Sequence, residues 1–329
     1  MCKKRGLFLT MSLLSIVSVL LLSALAEQVQ AQEKYPNRAI DIILPWTAGG
    51  GADLYARFTA EYLKKKWDVP VNVVNKPGGM TVPGCLEVYQ ATPDGYTILG
   101  DGQGQASLLS IAVRDLPFEL LNRTFISIIA CSPSLFTVPV KYPWKTLKDI
   151  EEEIKRDPEN FTWNSLGSVG PGDFVVRQFF RSIGVDISKT KPVICRGSSE
   201  AVTLTAGGHV KMAVTSATSA YSTAKAGKIR PVGITGFSRL PSYPDVPTAV
   251  EQGYPKVTAV WWTGFSGPPK LPDQVVDKWN QALEEFVKDP ETISKIEKMG
   301  GTPFYRNSRE MREYVEQEIK DARQSWGMK

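Results

Sequence analysis

Short apolar runs alternate with amphipathic stretches of helical length from residue 40 to the end of the chain. The first run, Ile40–Pro45, predicts a strand, and Asp53–Trp67 predicts a helix with Leu54, Phe58 and Tyr62 on one face. This alternation predicts an α/β fold. The further strands predicted are Val69–Asn75, Tyr96–Leu99, Phe125–Ala130, Leu135–Val140, Phe161–Asn164, Val193–Arg196, Lys211–Thr215, Arg230–Thr235 and Thr258–Phe265. The further helices predicted are Leu86–Ala91, Thr146–Arg156, Phe174–Ile183, Ser199–Ala206, Ala217–Ala226, Pro272–Val287 and Ser308–Trp326.

Two glycine-rich loops interrupt this pattern, each between a strand and a helix. Gly49–Gly51 lies before the first helix, and a Gly/Ser loop over Ser165–Asp173 lies before the helix at Phe174. Such a loop presents free N–H groups at the positive end of a helix, which suits a carboxylate or a phosphate. Neither a Walker loop nor the dinucleotide G-x-G-x-x-G is present in the first loop. The pair of loops predicts two helix N-termini facing each other across a cleft.

The first 31 residues have the layout of a secretory signal peptide. A basic start at Lys3–Arg5 precedes an apolar run over Leu7–Leu22, and small residues allow cleavage after Ala26 or Ala31. A membrane anchor is the weaker interpretation, because the run is short and is followed by an A-x-A-like site. Residues 1–31 are therefore predicted to be removed on secretion.

Charge and cysteine content exclude several classes of function. The net charge of +5 falls to +3 without residues 1–31, too little for a nucleic-acid surface. Cys85, Cys131 and Cys195 remain after cleavage, and their wide spacing does not suit a metal site. An odd number permits at most one disulfide within the chain, and the sequence leaves open whether any two of them pair. We expect no metal, no cofactor and no nucleic-acid partner.

Six motifs, in order, resemble the tripartite tricarboxylate transporter receptors, also called the Bug family of periplasmic solute-binding proteins. The family pattern P-F-x-P-G-G-G-T-D corresponds to Pro45–Asp53, and P-D-G-Y-T-L-L corresponds to Pro93–Leu99. The resemblance covers nearly all of the predicted mature chain. The remaining matches are N-R-P-G-A-G at Asn75–Gly79, A-G-K-[LI]-R at Ala226–Arg230, P-D-V-P-T-x-x-E-x-G-[YF] at Pro244–Tyr254, and W-x-G-x-x-x-P at Trp262–Pro268.

The resemblance implies a two-lobed, type II periplasmic-binding-protein fold with mixed sheets, flanking helices and a ligand cleft between the lobes. The expected lobes are residues 32–137 with 260–329, and residues 138–259. It also implies that backbone amides of both glycine loops hold a carboxylate. The ligand-binding residues expected are Trp46, Thr47, Ala48, Gly49, Gly50, Asp53, Gln103, Ser165, Gly167, Ser168, Gly170, Arg196 and Thr215.

Some positions depart from the family pattern or allow a second interpretation. Thr215 stands where many members have an acidic residue, which disfavours an ammonium-bearing ligand. Trp46 replaces the common Phe, and Trp261–Trp262 adds aromatic bulk. Together they favour an aromatic or otherwise apolar carboxylate over a citrate-like one, and a dicarboxylate also stays open. Asp53 is also a helix-capping candidate, and Arg196 is either a solvated charge or a partner for a second carboxylate.

The sequence is compatible with two functions of different classes, a receptor and an enzyme. The first is a monomeric periplasmic receptor that captures a carboxylate and delivers it to membrane transporter subunits or presents it to a sensor. The second is a secreted hydrolase or lyase that uses the glycine loops as an oxyanion hole. A G-x-S-x-G elbow is absent from the sequence, and a catalytic triad would need His209, the single histidine. The residue pattern favours the receptor, with no catalytic residues.

Overall fold

A computed structural model describes residues 35–167, 170–236, 238–326 and 328. All helices and strands given below belong to the compact unit that begins at Ala39. The predicted signal peptide lies outside the described residues. The strands are β1 (Ile40–Leu44), β2 (Val71–Asn75), β3 (Thr97–Gly102), β4 (Thr124–Pro139), β5 (Thr162–Ser165), β6 (Lys191–Ile194), β7 (Ala213–Ser216), β8 (Ile229–Ile234), β9 (Val260–Gly267) and β10 (Thr302–Arg306).

Most helices follow a strand and pack on a sheet, as the alternating pattern predicts. A π-helix at Gly104–Leu108 runs directly into α3. The α-helices are α1 (Gly51–Trp67), α2 (Val82–Tyr89), α3 (Leu109–Ala112), α4 (Leu147–Arg156), α5 (Pro171–Ser182), α6 (Ser198–Ala206), α7 (Ala217–Lys225), α8 (Asp273–Lys288), α9 (Pro290–Lys298) and α10 (Ser308–Ser325).

The largest sheet is mixed, with strand order β10-β4-β9-β3-β1-β2. Strands β1, β2 and β3 are parallel, whereas β9 pairs antiparallel with both β3 and β4. The first part of β4 pairs with β9 and β10, and its second part pairs with β7 and β8. A separate parallel pair joins β5 and β6. The α/β class with mixed sheets is thereby confirmed.

The hydrophobic core has one main cluster around each part of β4. One contains Ile43, Leu99 and Trp262 of the sheet with Met311 and Val315 of α10. The other packs Phe136 of β4 against Phe179 of α5 and Ile150 of α4, and it includes Trp163. Trp163 is therefore a core residue, and its indole Nε1–H donates to Thr190 Oγ1 at 2.9 Å.

Three segments differ from the sequence-based prediction. The separate strands predicted at Phe125–Ala130 and Leu135–Val140 form one strand, because the polar residues between them stay paired with β9. The glycine-rich segment Gly100–Gly104, which lies outside the predicted strands and helices, is the end of β3 and the start of the π-helix. The prediction also missed α9 and β10.

Two further observations concern the described part of the chain. Cys85, Cys131 and Cys195 are all free thiols. Within residues 35–328 as described, none of the helices combines the length and the apolar character that a membrane crossing requires.

Candidate functional site

The starts of several helices meet at one cavity, which has a volume of about 640 Å³ when the space open to solvent is included. Gly50, Gly51 and Ala52 at the start of α1 line it, and so do Pro171 and Gly172 at the start of α5. Ser198 begins α6, and Ser216 is the N-cap of α7. The other lining residues are Trp46, Thr47, Asp101, Gly102, Gln103, Gly104, Gln105, Ser134, Leu166, Val214, Thr215, Trp261 and Trp262.

Close packing at Gly51 and Gly172 brings the starts of α1 and α5 against neighbouring elements of the cavity wall. A Cβ on Gly51 would lie 2.5 Å from Ser216 Oγ and 3.1 Å from Trp261 Cζ2. A Cβ on Gly172 would collide with the backbone carbonyl oxygen of Val214. Both glycines therefore allow a backbone approach that a larger residue would prevent.

The first glycine loop is fixed by Asp53, the third residue of α1. One carboxylate oxygen of Asp53 accepts from the Gly49 N–H at 2.9 Å and from Arg57 Nε at 3.0 Å, and the other accepts from Asn75 Nδ2 at 2.8 Å. Burial alone raises the pKa of Asp53, but these hydrogen bonds outweigh it and the pKa is lowered. Asp53 is ionised and fully engaged in holding the loop.

Asp173 plays the same part in the second loop, as the third residue of α5. Its carboxylate accepts from the Leu166 N–H at 2.9 Å and from the Ser165 hydroxyl. Ser165 Oγ in turn accepts from the Gly167 N–H at 3.1 Å. Each loop is thus held by an acidic residue from the first turn of the helix that follows it.

The cavity can accommodate negative charge without a cationic side chain. Among the described residues, lysine, arginine and histidine are all absent from its lining. The helix N-termini that line it carry a positive partial charge, because their first N–H groups have no partner within their own helix. The indole Nε1–H of Trp261 is also buried, and no acceptor for it exists among the described residues.

Asp101 is the one charged side chain among the described lining residues, and its charge is neutralised by Arg123. Asp101 Oδ2 lies 2.6 Å from Arg123 Nη1, and it accepts from the Ser266 hydroxyl at 2.6 Å. Arg123 is wholly buried, and its Nη2 donates to the backbone oxygen of Gln105 at 2.8 Å. The ion pair therefore fixes the π-helix backbone and leaves Asp101 no free charge for a ligand.

A second polar cluster links the cavity to α10. The carboxylate of Glu318 accepts from Gln103 Nε2 at 2.8 Å, Ser107 Oγ at 2.6 Å and Trp262 Nε1 at 3.2 Å. Burial raises the pKa of Glu318 to about 7 in spite of these hydrogen bonds, and the nearby charge of Asp321 adds to the increase. Gln103 and Trp262, which both line the cavity, are positioned by this one carboxylate.

The residues expected to bind ligand fall into three groups. Trp46, Thr47, Gly50, Gln103 and Thr215 line the cavity. Ser168 lies outside the described residues. The expected residues that are described but do not line the cavity are Ala48, Gly49, Asp53, Ser165, Gly167, Gly170 and Arg196.

Arg196 and His209 both lie away from the cavity lining. The Arg196 side chain is 71% exposed, and its Nε lies 3.1 Å from the carboxylate of Glu200. Arg196 has the position of a solvated, paired charge. His209, which a catalytic triad would need, is exposed and is not among the lining residues.

Direct hydrogen bonds join the first loop to helices of the second half of the chain. Thr47 Oγ1 lies 2.9 Å from Ser199 Oγ, and the Gly51 N–H donates to Ser219 Oγ at 2.7 Å. These contacts close one side of the cavity.

The sequence missed several residues of this site. Asp101, Gln105, Arg123 and Glu318 had no assigned role in the cavity, and Trp261 was expected only to add aromatic bulk. Nothing in the local pattern marks Arg123 or Glu318, because the contacts that connect them to the cavity are made with residues distant along the chain. Trp261 was the most accessible from sequence, as part of the aromatic pair Trp261–Trp262 at the start of a strand.

Comparison with known proteins places this arrangement in a family. The family model described as "Tripartite tricarboxylate transporter family receptor" matches residues 55–325. A UPF0065 protein of Bordetella pertussis is 26% identical over 309 residues, covering 94% of this chain and 94% of the relative.

Solved structures with the same fold include periplasmic proteins. One, described as a periplasmic transporter, is 27% identical with a TM-score of 0.83, covering 88% of this chain and 96% of that one. A Rhodopseudomonas palustris protein with bound malate is 22% identical with a TM-score of 0.82, covering 88% of this chain and 99% of that one. At that identity the malate-bound protein supports the fold alone.

Proposed function

Because the chain belongs to the tripartite tricarboxylate transporter receptor family, we propose that it captures a small carboxylate in the periplasm and delivers it to the membrane subunits of a transporter. A solute-binding role follows from the family itself. The carboxylate, its mode of binding and its delivery are the proposal. The malate bound to the Rhodopseudomonas palustris neighbour is a carboxylate, and the proposal carries this ligand class over to the chain by analogy.

One observation carries the proposal: the N-termini of α1 and α5 meet at a cavity that lacks a cationic side chain among its described lining residues. Backbone N–H groups at helix starts hold an anion without the desolvation cost of a buried lysine or arginine. The Gly50 and Gly51 amides already donate to Thr47 O and Ser219 Oγ. We therefore assign the anion to the amides of Ala52 and Gly172, with the Trp261 indole as an additional donor. Trp46 and Leu166 would contact the apolar part of the ligand.

We also propose that the cavity lies between two lobes that close on the ligand. The predicted lobes assign Gly50–Ala52 to residues 32–137 with 260–329, and Gly172, Ser198 and Ser216 to residues 138–259. Closure would exclude water from the hydrogen bonds to the carboxylate and strengthen them. Removal of residues 1–31 and a monomeric state remain predictions from the sequence.

Ligand-induced thermal stabilisation tests the ligand class. The protein is unfolded and refolded to remove carried-over ligand and is then screened against carboxylates, their primary amides, amino acids and neutral sugars. A ligand at about 100 times its Kd adds roughly 2.7 kcal/mol to the free energy of unfolding and raises the Tm. We expect stabilisation by carboxylates but not by their amides. Stabilisation only by sugars or amines would contradict the proposal.

Delivery to a transporter needs a separate test, because a receptor can also report to a sensor. Uptake of the best ligand is measured in cells of the source organism with and without this gene. We expect uptake to be lost without the gene and restored by a plasmid copy. Uptake that is unchanged without the gene would rule out delivery.

A further inference from the structure

Two glutamine side chains in the cavity wall have an unused hydrogen-bond acceptor. Gln103 and Gln105, at the start of the π-helix, are only 3% and 1% exposed. Gln103 Nε2 donates to Glu318 at 2.8 Å, and Gln105 Nε2 donates to the backbone oxygen of Gly100 at 3.2 Å. Their Oε1 atoms are buried, and no donor reaches either one from the described part of the chain.

The hydrogen-bond partners of the two side-chain amides determine which amide atom, the oxygen or the nitrogen, has no partner. When Glu318 is ionised, both Nε2 atoms face acceptors, its carboxylate and the carbonyl oxygen of Gly100. Above the pKa of Glu318 a turned amide would therefore place two acceptors against each other. The unpaired atoms are therefore oxygens rather than NH2 groups. Buried acceptors of this kind are normally satisfied by a donor.

We propose that the ligand carries, besides its carboxylate, a hydroxyl group that donates to Oε1 of Gln103 or Gln105; the inference rests on the proposed function. The helix N-termini supply donors for the carboxylate, and the glutamines supply acceptors for the hydroxyl. The substrate class is thus a hydroxycarboxylate.

A hydroxyl fits these acceptors better than an ammonium group does. The amide oxygens are neutral, and a buried ammonium needs a carboxylate partner. Asp101, the charged residue in the lining, already accepts from Arg123, Ser266 and the Gly102 N–H. No carboxylate in the described lining is left to pair with an ammonium.

Glu318 is the positioning residue for this specificity. It does not line the cavity, but it holds the NH2 end of Gln103 and so turns Oε1 of that side chain away from α10. In Glu318→Gln the new amide can either accept from Gln103 or donate to it. The orientation of Gln103 is then no longer enforced, and the selectivity for a hydroxyl decreases.

Calorimetric titration of matched acids tests the inference. The pairs differ by one hydroxyl: lactate with propionate, 3-hydroxybutyrate with butyrate, malate with succinate, and phenyllactate with 3-phenylpropionate. A site built to bind a hydroxyl rejects the analogue that lacks it, since the buried acceptors are then unpaired. For the pair that binds best, we expect the hydroxy acid to bind at least about tenfold more tightly.

The possible results separate this inference from the proposed function. Equal or tighter binding of the acids without a hydroxyl would overturn the hydroxyl inference and leave the carboxylate receptor intact. Tightest binding of an amino acid would also overturn it. If no carboxylate binds at all, the proposed function fails as well.

Substitutions test whether Gln103, Gln105 and Glu318 cause the preference for the hydroxy acid. Gln103→Met, Gln105→Met and Glu318→Gln should each lower the ratio of the two Kd values toward one. Because both acids are measured on the same variant, a folding defect would weaken both and leave the ratio unchanged. Gln317→Met, on the exposed face of α10, is the matched control and should keep the wild-type ratio. A wild-type ratio in all three cavity variants would overturn the assignment.

Discussion

At the scale of single residues, the cavity depends on charged side chains that already have hydrogen-bond or ion-pair partners within the protein. Asp53 and Asp173 hold the two glycine loops, and Arg123 neutralises Asp101. Each of these charges serves the protein's own backbone. This leaves the helix N-termini, the Trp261 indole and the two glutamine oxygens to contact a ligand.

Removing Arg123 should strongly destabilise the protein. In Arg123→Met, Asp101 loses its ion-pair partner in a site with no solvent exposure, and Gln105 loses a backbone contact. We expect a loss of about 3–5 kcal/mol in the free energy of unfolding, measured by urea denaturation. The double variant Asp101→Asn/Arg123→Met should recover part of the loss. A change below about 1 kcal/mol in the single variant would contradict this role.

Glu318 should make stability depend on pH. Its pKa is about 7 in the folded protein, above the ordinary value of a glutamate, so the folded state holds the proton more tightly than the unfolded state. The stabilising contribution is complete at low pH and is lost as the pH rises toward 7. Between pH 5 and pH 8 the wild type should lose on the order of 1–3 kcal/mol more than Glu318→Gln. Parallel pH profiles of the two proteins would refute this.

At the scale of elements, the sequence predicted local structure well and the cavity only in part. Helix α1 and the strand before it follow from apolar periodicity and from the glycine turn at Gly49–Gly51. The continuity of β4 could not be predicted, since Ser132 and Ser134 look like a break and are kept in the strand by pairing with β9 and β7. The π-helix after Gln103 was missed because glycine-rich sequence normally indicates a loop.

Among the cavity residues too, some positions follow from the local sequence and others depend on long-range contacts. Thr47, Gly50 and Thr215 adjoin a strand end or a glycine turn, so their position follows from chain order. Glu318 meets Gln103 across 215 residues of chain and Arg123 meets Asp101 across 22 residues. Only the folded structure brings these groups together. Long-range contacts, rather than local propensity, account for what the sequence could not predict.

The close approach of α5 to β7 gives a test at this scale. Gly172→Ala would force a Cβ against the carbonyl oxygen of Val214, so the start of α5 must shift. We expect a destabilisation of about 1–3 kcal/mol from this overpacking, together with weaker ligand binding. Ser182→Ala at the exposed end of the same helix is the control and should change stability by less than about 0.5 kcal/mol. Wild-type stability and affinity in Gly172→Ala would show that the approach is unimportant.

At the scale of the whole molecule, contacts across the cavity connect distant parts of the chain. The Thr47–Ser199 and Gly51–Ser219 hydrogen bonds join the first loop to α6 and α7. These bonds belong to a closed arrangement if the proposed lobes are correct.

Small-angle scattering can test closure. We expect the radius of gyration to decrease when a saturating carboxylate is added, since hinge closure around a ligand brings the lobes together. In Thr47→Ala/Ser199→Ala one bond of the closed arrangement is lost, so the affinity should decrease while the unliganded scattering profile stays the same. Identical profiles with and without ligand would contradict closure.

A crystal structure of the complex with the best-binding carboxylate is the most direct test of the central claim. We predict that the carboxylate oxygens lie within hydrogen-bond distance of the backbone N–H groups of Ala52 and Gly172. No lysine or arginine nitrogen should lie within about 4 Å of them. A carboxylate paired with Arg196, or bound outside the cavity, would contradict the account.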